Sequence, residues 1–228
     1  MVSFMAATSS APASVHVEVI SDVVCPWCFI GKHRLEAATA LLPDIAVDIN
    51  WRPYFLNPWI PREGIDRQTY LEAKFGSVER YRVIAERVAT AAAMEGLTYA
   101  ADKISRQPNT LDCHRLILWA RSATDPGRMK QRLMDLYFSE GADLTDPKTL
   151  IGAAVDCDMD GDLVRRLLAS DADVDRVESE ANSAREAGIE GVPCFIFGGS
   201  VIVTGAQSPE YLANAIERTA GQQTRMRA

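Results

Sequence analysis

The sequence predicts an α/β fold in which a β-α-β unit and a closing α-β-β-α unit are separated by a long helical insertion. Three observations carry this. Residues 15–20 and 45–51 alternate as half-buried strands do, and they flank a stretch, 31–42, with apolar residues at helical spacing. Residues 194–197 and 201–204 repeat the strand signal near the other end of the chain. Between them, over 67–188, apolar positions recur at helical spacing without a strand signal.

Taken in order, Val15, Val17 and Val19 fall on one face of the first strand. The helix after it starts at or inside Cys25-Pro26-Trp27-Cys28 and ends at Pro43, which cannot continue a helix. Ile45, Val47, Ile49 and Trp51 share one face of the second strand, and a proline-rich passage from Pro53 to Pro61 leads into the insertion. Helices are expected there over 68–75, 78–95, 109–123, 127–141, 149–157, 161–168 and 171–188. Gly96, Pro108, Asp125-Pro126 and Asp146-Pro147 break several of them apart. Gly198-Gly199-Ser200 joins the last two strands in a tight hairpin. Ser208 caps a final helix with Pro209 in its first turn, running to about Thr219. With the insertion cut out, this is the element order of a thioredoxin-like fold. The chain therefore divides into a disordered tail (1–14), a first thioredoxin-like part (15–65), an all-helical insertion (66–175), a second thioredoxin-like part (176–219) and a loose polar tail (220–228).

Composition narrows the function. The 228 residues are 47% apolar, enough to bury a full core. A net charge of −7 with no Lys/Arg-rich stretch argues against a nucleic-acid binder, which needs a basic face for phosphates. No run of about 18 apolar residues is present, so no membrane span is expected. Residues 1–14 hold neither the basic start nor the apolar block of a secretory signal, and a cytoplasmic protein is expected. The five cysteines, an odd number, argue against a complete disulfide framework.

The chemistry gathers at Cys25-Pro26-Trp27-Cys28, between a strand and a helix. The first turn of a helix has unpaired N–H groups and the positive end of the dipole, so a Cys25 thiolate is favoured there. The thiolate is the attacking species in disulfide exchange, and Cys28, one turn on, can resolve the mixed disulfide. Cys25 is thus expected to be the exposed nucleophile and Cys28 its buried partner. Pro26 suits a first turn that can spare an N–H. Half of a zinc site is the competing reading, but no second ligand pair with zinc spacing exists, and no metal is expected. Pro193 follows a helix and opens the hairpin. Asp22 is expected to bond local backbone N–H groups, Asn57 to be a turn residue or a glutathione contact, and His114 to be a satisfied structural histidine or a cleft residue. Cys113, Cys157 and Cys194 read as small buried hydrophobes.

Ser21-Asp22-Val23-Val24-Cys25-Pro26-Trp27-Cys28-Phe29-Ile30-Gly31 resembles the active-site segment of the FrnE-like branch of the DsbA family. Trp51-Arg52-Pro53-Tyr54-Phe55-Leu56-Asn57-Pro58, Asn109-Thr110 with His114-Arg115, Gly188-Ile189-Glu190-Gly191-Val192-Pro193 and Gly205-Ala206-Gln207 resemble further segments of that branch, so the resemblance covers roughly residues 15 to 218. It implies a thioredoxin-like fold with a large all-helical insertion (DsbA-like) and dithiol–disulfide oxidoreductase activity. It also implies a cis proline at Pro193 facing the cysteines, with Pro26, Trp27 and Val192 beside it to bind substrate. Cys194 departs from the pattern, standing where a large apolar residue is expected. Trp27 stands where periplasmic DsbA proteins carry His, which implies a weaker oxidant.

The implied partners are thiols and disulfides of proteins or of glutathione, the latter as substrate or reductant, with no other cofactor, no nucleic acid and no membrane; the protein is expected as a monomer or homodimer. Two alternatives stand beside this reading. Glutathione-dependent 2-hydroxychromene-2-carboxylate isomerases and kappa-class transferases share the layout, but usually carry Ser at the position of Cys25. A non-catalytic thioredoxin-like binding or metal-binding module would leave both cysteines idle or on a metal.

Overall fold

A four-stranded sheet organises the protein, its strands lying in the order Ile45–Pro53, Ala13–Ser21, Cys194–Phe197, Val201–Thr204. The computed structural model describes residues 13–227. β1 (Ala13–Ser21) runs parallel to β2 (Ile45–Pro53), from Ala13 opposite Ile45 to Ser21 opposite Pro53. α1 (Pro26–Ala40) makes the crossover between them. β5 (Cys194–Phe197) pairs antiparallel with β1 and with β6 (Val201–Thr204). Gly198 and Gly199 both take positive φ in the hairpin between β5 and β6, a conformation that favours glycine.

Alternation along β1 sets the two faces of the sheet. Val15, Val17 and Val19 are buried in the main core with Phe29 and Leu35 of α1 and with Leu212 and Ile216 of the last helix. Ile20 points the other way, into a smaller cluster with Tyr54, Cys194 and Ala184.

The insertion carries α2 (Arg67–Phe75), α3 (Val78–Met94), α4 (Leu111–Ala123), α5 (Pro126–Asp135), α6 (Pro147–Asp156) and α7 (Gly161–Leu168), and α8 (Val174–Glu186) leads from it back to the sheet. A π-helical turn, Leu136–Glu140, extends α5. The Asp-Pro pairs prove to be helix starts: Asp125 and Asp146 accept backbone N–H bonds as N-caps, with proline at the first helical position. Among the described residues no helix is long and apolar enough to cross a membrane.

Three details differ from expectation. The insertion is not wholly helical: β3 (Ile65–Asp66) and β4 (Arg106–Gln107) form an antiparallel ribbon at its neck. Two-residue strands are too short to show a period. The last helix, α9 (Pro209–Arg227), runs through the segment expected to be loose, because Ala220 is buried against the main core and holds that turn in place. The expected N-terminal tail falls largely outside the described residues, and its last two, Ala13 and Ser14, already belong to β1.

The insertion shares one continuous core with the sheet. Phe29 of α1 stacks on Phe138 with ring centroids 5.2 Å apart, and Cys113, Leu133 and Tyr137 are buried in the cluster that holds Cys25 and Cys28. The insertion is thus part of the sheet's own packing.

Candidate active site

β1 ends at Ser21, and after three intervening residues the chain enters α1 with Cys25 as the N-cap. Cys25 has extended φ/ψ of −91° and 114°, and Pro26 occupies the first helical turn. The Cys25 N–H donates to the Asp22 carbonyl at 3.3 Å, while its own carbonyl accepts from the N–H groups of Cys28 and Phe29 at 3.0 and 3.1 Å. The strand–turn–helix hand-over thus places one sulfur at the helix start and the second one turn inside.

Both thiols are free, and their environments set them apart. The Cys28 thiol hydrogen-bonds the Cys25 sulfur and lowers its pKa; burial opposes this, and the backbone N–H groups of Cys28 and Trp27 assist. Burial, then the Cys25 sulfur, pushes Cys28 well above the ordinary thiol value. The order of ionisation is the one expected for an attacking Cys25 and a resolving Cys28. The expected exposure is not found: Cys25 is only 3% exposed and Cys28 1%. Cys25 is covered because its sulfur lies under the loop before β5, where its thiol donates to the Val192 carbonyl at 3.6 Å. That carbonyl is therefore engaged rather than free in the dithiol form.

The Val192–Pro193 peptide bond is cis. Pro193 is held from two sides. Its carbonyl accepts from Gly205 N at 2.8 Å, and its ring packs so close to α1 that a Cβ on Gly31 would lie 2.9 Å from Pro193 Cγ. Trp27, 40% exposed, stands beside the cysteines with half-buried Pro26. Cys194 pairs with Ile20 in the opposite-face cluster, while its neighbour Phe195 lies toward Gly31, so alternation carries the Cys194 thiol away from Cys25.

Beneath the motif, Asp22 and His114 form a buried pair, Nε2 to Oδ1 at 3.3 Å. Asp22 was expected to bond local backbone; its other oxygen instead accepts from Leu56 N at 2.8 Å, beyond the end of β2. Burial raises the Asp22 carboxyl, but the bonds from His114, Leu56 and Thr110 outweigh it and leave the group low. Burial lowers His114 despite the carboxylate beside it. Together these describe a carboxylate accepting from a neutral imidazole. Asn57 opens a turn, as expected, its carbonyl accepting from Ile60 N at 3.1 Å. It is buried, its Oδ1 accepts from Lys74 Nζ at 2.5 Å and from Tyr70 OH at 3.4 Å, and its Nδ2 has no partner beside a cavity of about 90 Å³.

Two lysines escaped the sequence reading. Burial lowers Lys74 on α2, while the negative charge of Cys25 and Asp22 pulls it upward. Lys130 on α5 lies in the core, where burial lowers it to about 8 and its Nζ lies 5.4 Å from the centroid of the Trp51 ring. Its sequence signal is faint but present: Lys130 holds an apolar position in a period shared with Leu133, Met134 and Tyr137. A larger groove of about 640 Å³, between α2 and α3, is lined by none of the cysteines.

Residues 16–217 match the family model described as the DSBA-like thioredoxin domain. YwbO, an uncharacterized protein of Bacillus subtilis (strain 168), is 26% identical over 205 residues, 89% of this chain and 96% of that one. The crystal structure of a probable DsbA oxidoreductase from Streptomyces coelicolor is similar with a TM-score of 0.81 and 31% identity, covering 91% of this chain and 90% of that one. The cytosolic disulfide reductase DsbM from Pseudomonas aeruginosa, with GSH, is similar with a TM-score of 0.61 over 93% of this chain and 100% of that one. Its 14% identity makes that a likeness of fold alone.

Proposed function

This chain belongs to the DSBA-like thioredoxin domain family, and on that premise we propose that it is a dithiol–disulfide oxidoreductase of the FrnE-like branch, with Cys25 as nucleophile and Cys28 as resolving thiol. The observation that carries the reading is the split between the two sulfurs. Cys25 is lowered at the helix start, and Cys28 is raised one turn inside.

In the reducing direction, the Cys25 thiolate attacks a substrate disulfide R–S–S–R′. A Cys25–S–R bond forms, the S–S bond breaks, and R′S⁻ leaves with the electron pair. Cys28, once deprotonated, attacks the Cys25 sulfur, closes the Cys25–Cys28 disulfide and releases RS⁻. The oxidising direction is the reverse. Ionising Cys25 removes the proton that engages the Val192 carbonyl, which frees that acceptor for the backbone N–H of an extended substrate. Pro193 and Trp27 flank the same sulfur. The two thiols and their substrate balance the electrons of the exchange.

Glutathione or a protein cysteine is the substrate class this arrangement suits, in a cytoplasmic setting. Lys74 offers a cation at the cleft for a substrate carboxylate, with the Asn57 amide behind it. A thiol in place of the isomerases' usual hydroxyl at position 25 favours exchange over a glutathione-holding role. The test is turnover of glutathione disulfide and of insulin with two variants. Cys25→Ser is expected to lose both activities, and Cys28→Ser to accumulate a mixed disulfide on Cys25, seen by mass spectrometry. Full turnover by Cys25→Ser would overturn the reading.

A further inference from the structure

The groove between α2 and α3 encloses about 640 Å³, inside the roughly 300–1,000 Å³ range of small-molecule sites. Leu71 of α2, Val78, Ala85 and Ala89 of α3, and Ile104 beyond α3 give it apolar walls. None of the side chains assigned to thiol exchange lines it.

Half-buried Arg67 lines the groove at the start of α2. Its guanidinium donates to Gln107 Oε1 at 2.5 Å, to Tyr81 OH at 2.9 Å and to Tyr137 OH at 3.1 Å, and it lies over the Tyr70 and Tyr81 rings. All of these partners are neutral. Among the described residues no carboxylate pairs with Arg67; that of Asp66, its neighbour in the chain, accepts from Thr69 N at 2.9 Å instead. A charge so far out of water ordinarily has a counter-ion, and the fold supplies none here.

The hydroxyls beside Arg67 leave one proton over. Tyr137 gives its proton to Gln107 Oε1 at 2.9 Å. Tyr81 OH and Tyr99 OH lie 2.8 Å apart and share a single hydrogen bond. Whichever of the two donates, the proton of the other has no acceptor among the described residues, and both side chains line the groove. Tyr81 is only 9% exposed, so water has little access to its hydroxyl. Burial, with Tyr81 beside it, holds Tyr99 above the ordinary phenol value, which keeps it protonated.

We propose that this groove binds a small aliphatic carboxylate: the head group meets Arg67 and takes the spare hydroxyl proton of the Tyr81–Tyr99 pair, and the chain lies along Leu71, Val78, Ala85 and Ala89. The apolar walls favour a chain that leaves water there. Charge selects a single anionic head, because Asp66, Glu86 and Asp102 also line the groove, with only Arg82 to offset them, and would repel a second carboxylate. The inference does not depend on the dithiol reading.

Calorimetric titration of the whole chain with decanoate tests it, with decanol and decyltrimethylammonium as head-group controls. One decanoate is expected to bind per chain, about tenfold or more tightly than either control, because only the carboxylate accepts charge-assisted hydrogen bonds. Tyr99→Phe, which removes a hydroxyl, is expected to weaken decanoate by about threefold or more and to leave decanol within about twofold. Ala89→Phe, which fills the groove, is expected to weaken both by about tenfold. Arg67→Gln, checked for native fold by near-ultraviolet circular dichroism, is expected to bring decanoate down to the affinity of decanol. No saturable decanoate binding up to about 1 mM would overturn the proposal. So would equal affinity for decanoate and decanol, or wild-type decanoate binding by both Tyr99→Phe and Ala89→Phe.

Discussion

The Val192 carbonyl oxygen lies 3.6 Å from the sulfur of Cys25 and accepts its thiol hydrogen bond, although 167 positions separate the two residues. The loop that covers the nucleophile is thus the one that begins β5, and access to Cys25 depends on how that loop is held.

The thiol order is open to direct measurement. Iodoacetamide at neutral pH is expected to modify Cys25 before Cys28, with a midpoint below the ordinary thiol value, because the Cys28 hydrogen bond and helix N–H groups hold its thiolate. A depressed folded-state value also means that Cys25 adds stability as pH rises through it toward the unfolded value. Reduced wild type should therefore gain stability over Cys25→Ala as pH rises toward about 8.5, the ordinary thiol value. First modification at Cys28 would reverse the assigned roles.

Gly31 leaves room for the proline loop. A methyl there would lie 2.9 Å from Pro193 Cγ and 3.3 Å from Phe195 Cζ. Gly31→Ala is expected to cost about 1–3 kcal/mol by overpacking, read by urea unfolding, and to change the rate of Cys25 alkylation as the Val192 carbonyl moves. An unaltered alkylation rate would show that the loop yields elsewhere.

The buried Asp22–His114 pair predicts a pH signature. His114 is depressed in the folded state, so the unfolded chain takes up a proton first as pH falls through 6.5, and stability is lost there. Asp22 is depressed too, so its contribution is present above 3.8 and lost only in stronger acid. His114→Gln should flatten the slope of stability between pH 7.5 and about 5.5. Asp22→Ala, which strands the Leu56 N–H and the imidazole, should cost about 3 kcal/mol. Calorimetry across this range checks both.

Arg115 locks the far side of the insertion. Wholly buried, its guanidinium donates to the carbonyls of Leu167, Ser170 and Ala172, each at 2.7 Å, and to Asp112 at 2.6 Å. Arg115→Met leaves three carbonyls without this donor and is expected to cost about 3 kcal/mol. Hydrogen exchange should rise between α7 and α8, with Cys25 alkylation unchanged. Protection as in the wild type would mean that other contacts hold that turn.

Much of this was legible in the residues because local chemistry decided it. The valines of β1 select a strand face, Pro26 suits a helix start, and the Asp-Pro pairs cap the helices they precede. The Cys25-to-Cys28 spacing, lying between a strand and a helix, already implied which sulfur meets the helix end. What depends on a distant partner had no local trace. The β3–β4 ribbon joins segments 40 positions apart with two residues each, too few for a period. Asp22 showed no sign of bonding Leu56 and His114 rather than its own turn, and Asn57 none of meeting Lys74.

By itself, then, the sequence determined the order of the sheet strands and long helices, the core-facing valines of the sheet and the strand–turn–helix setting of Cys25 and Cys28, because these follow from short-range periodicity and helix-end chemistry. Tertiary structure alone decided that Cys25 is covered and that Lys130 and His114 lie beneath the motif. Burial and electrostatic fields depend on what packs within a few ångströms in space. Here those neighbours, Val192, Lys130 and His114, come from elements about 90 to 170 positions along the chain from the cysteines.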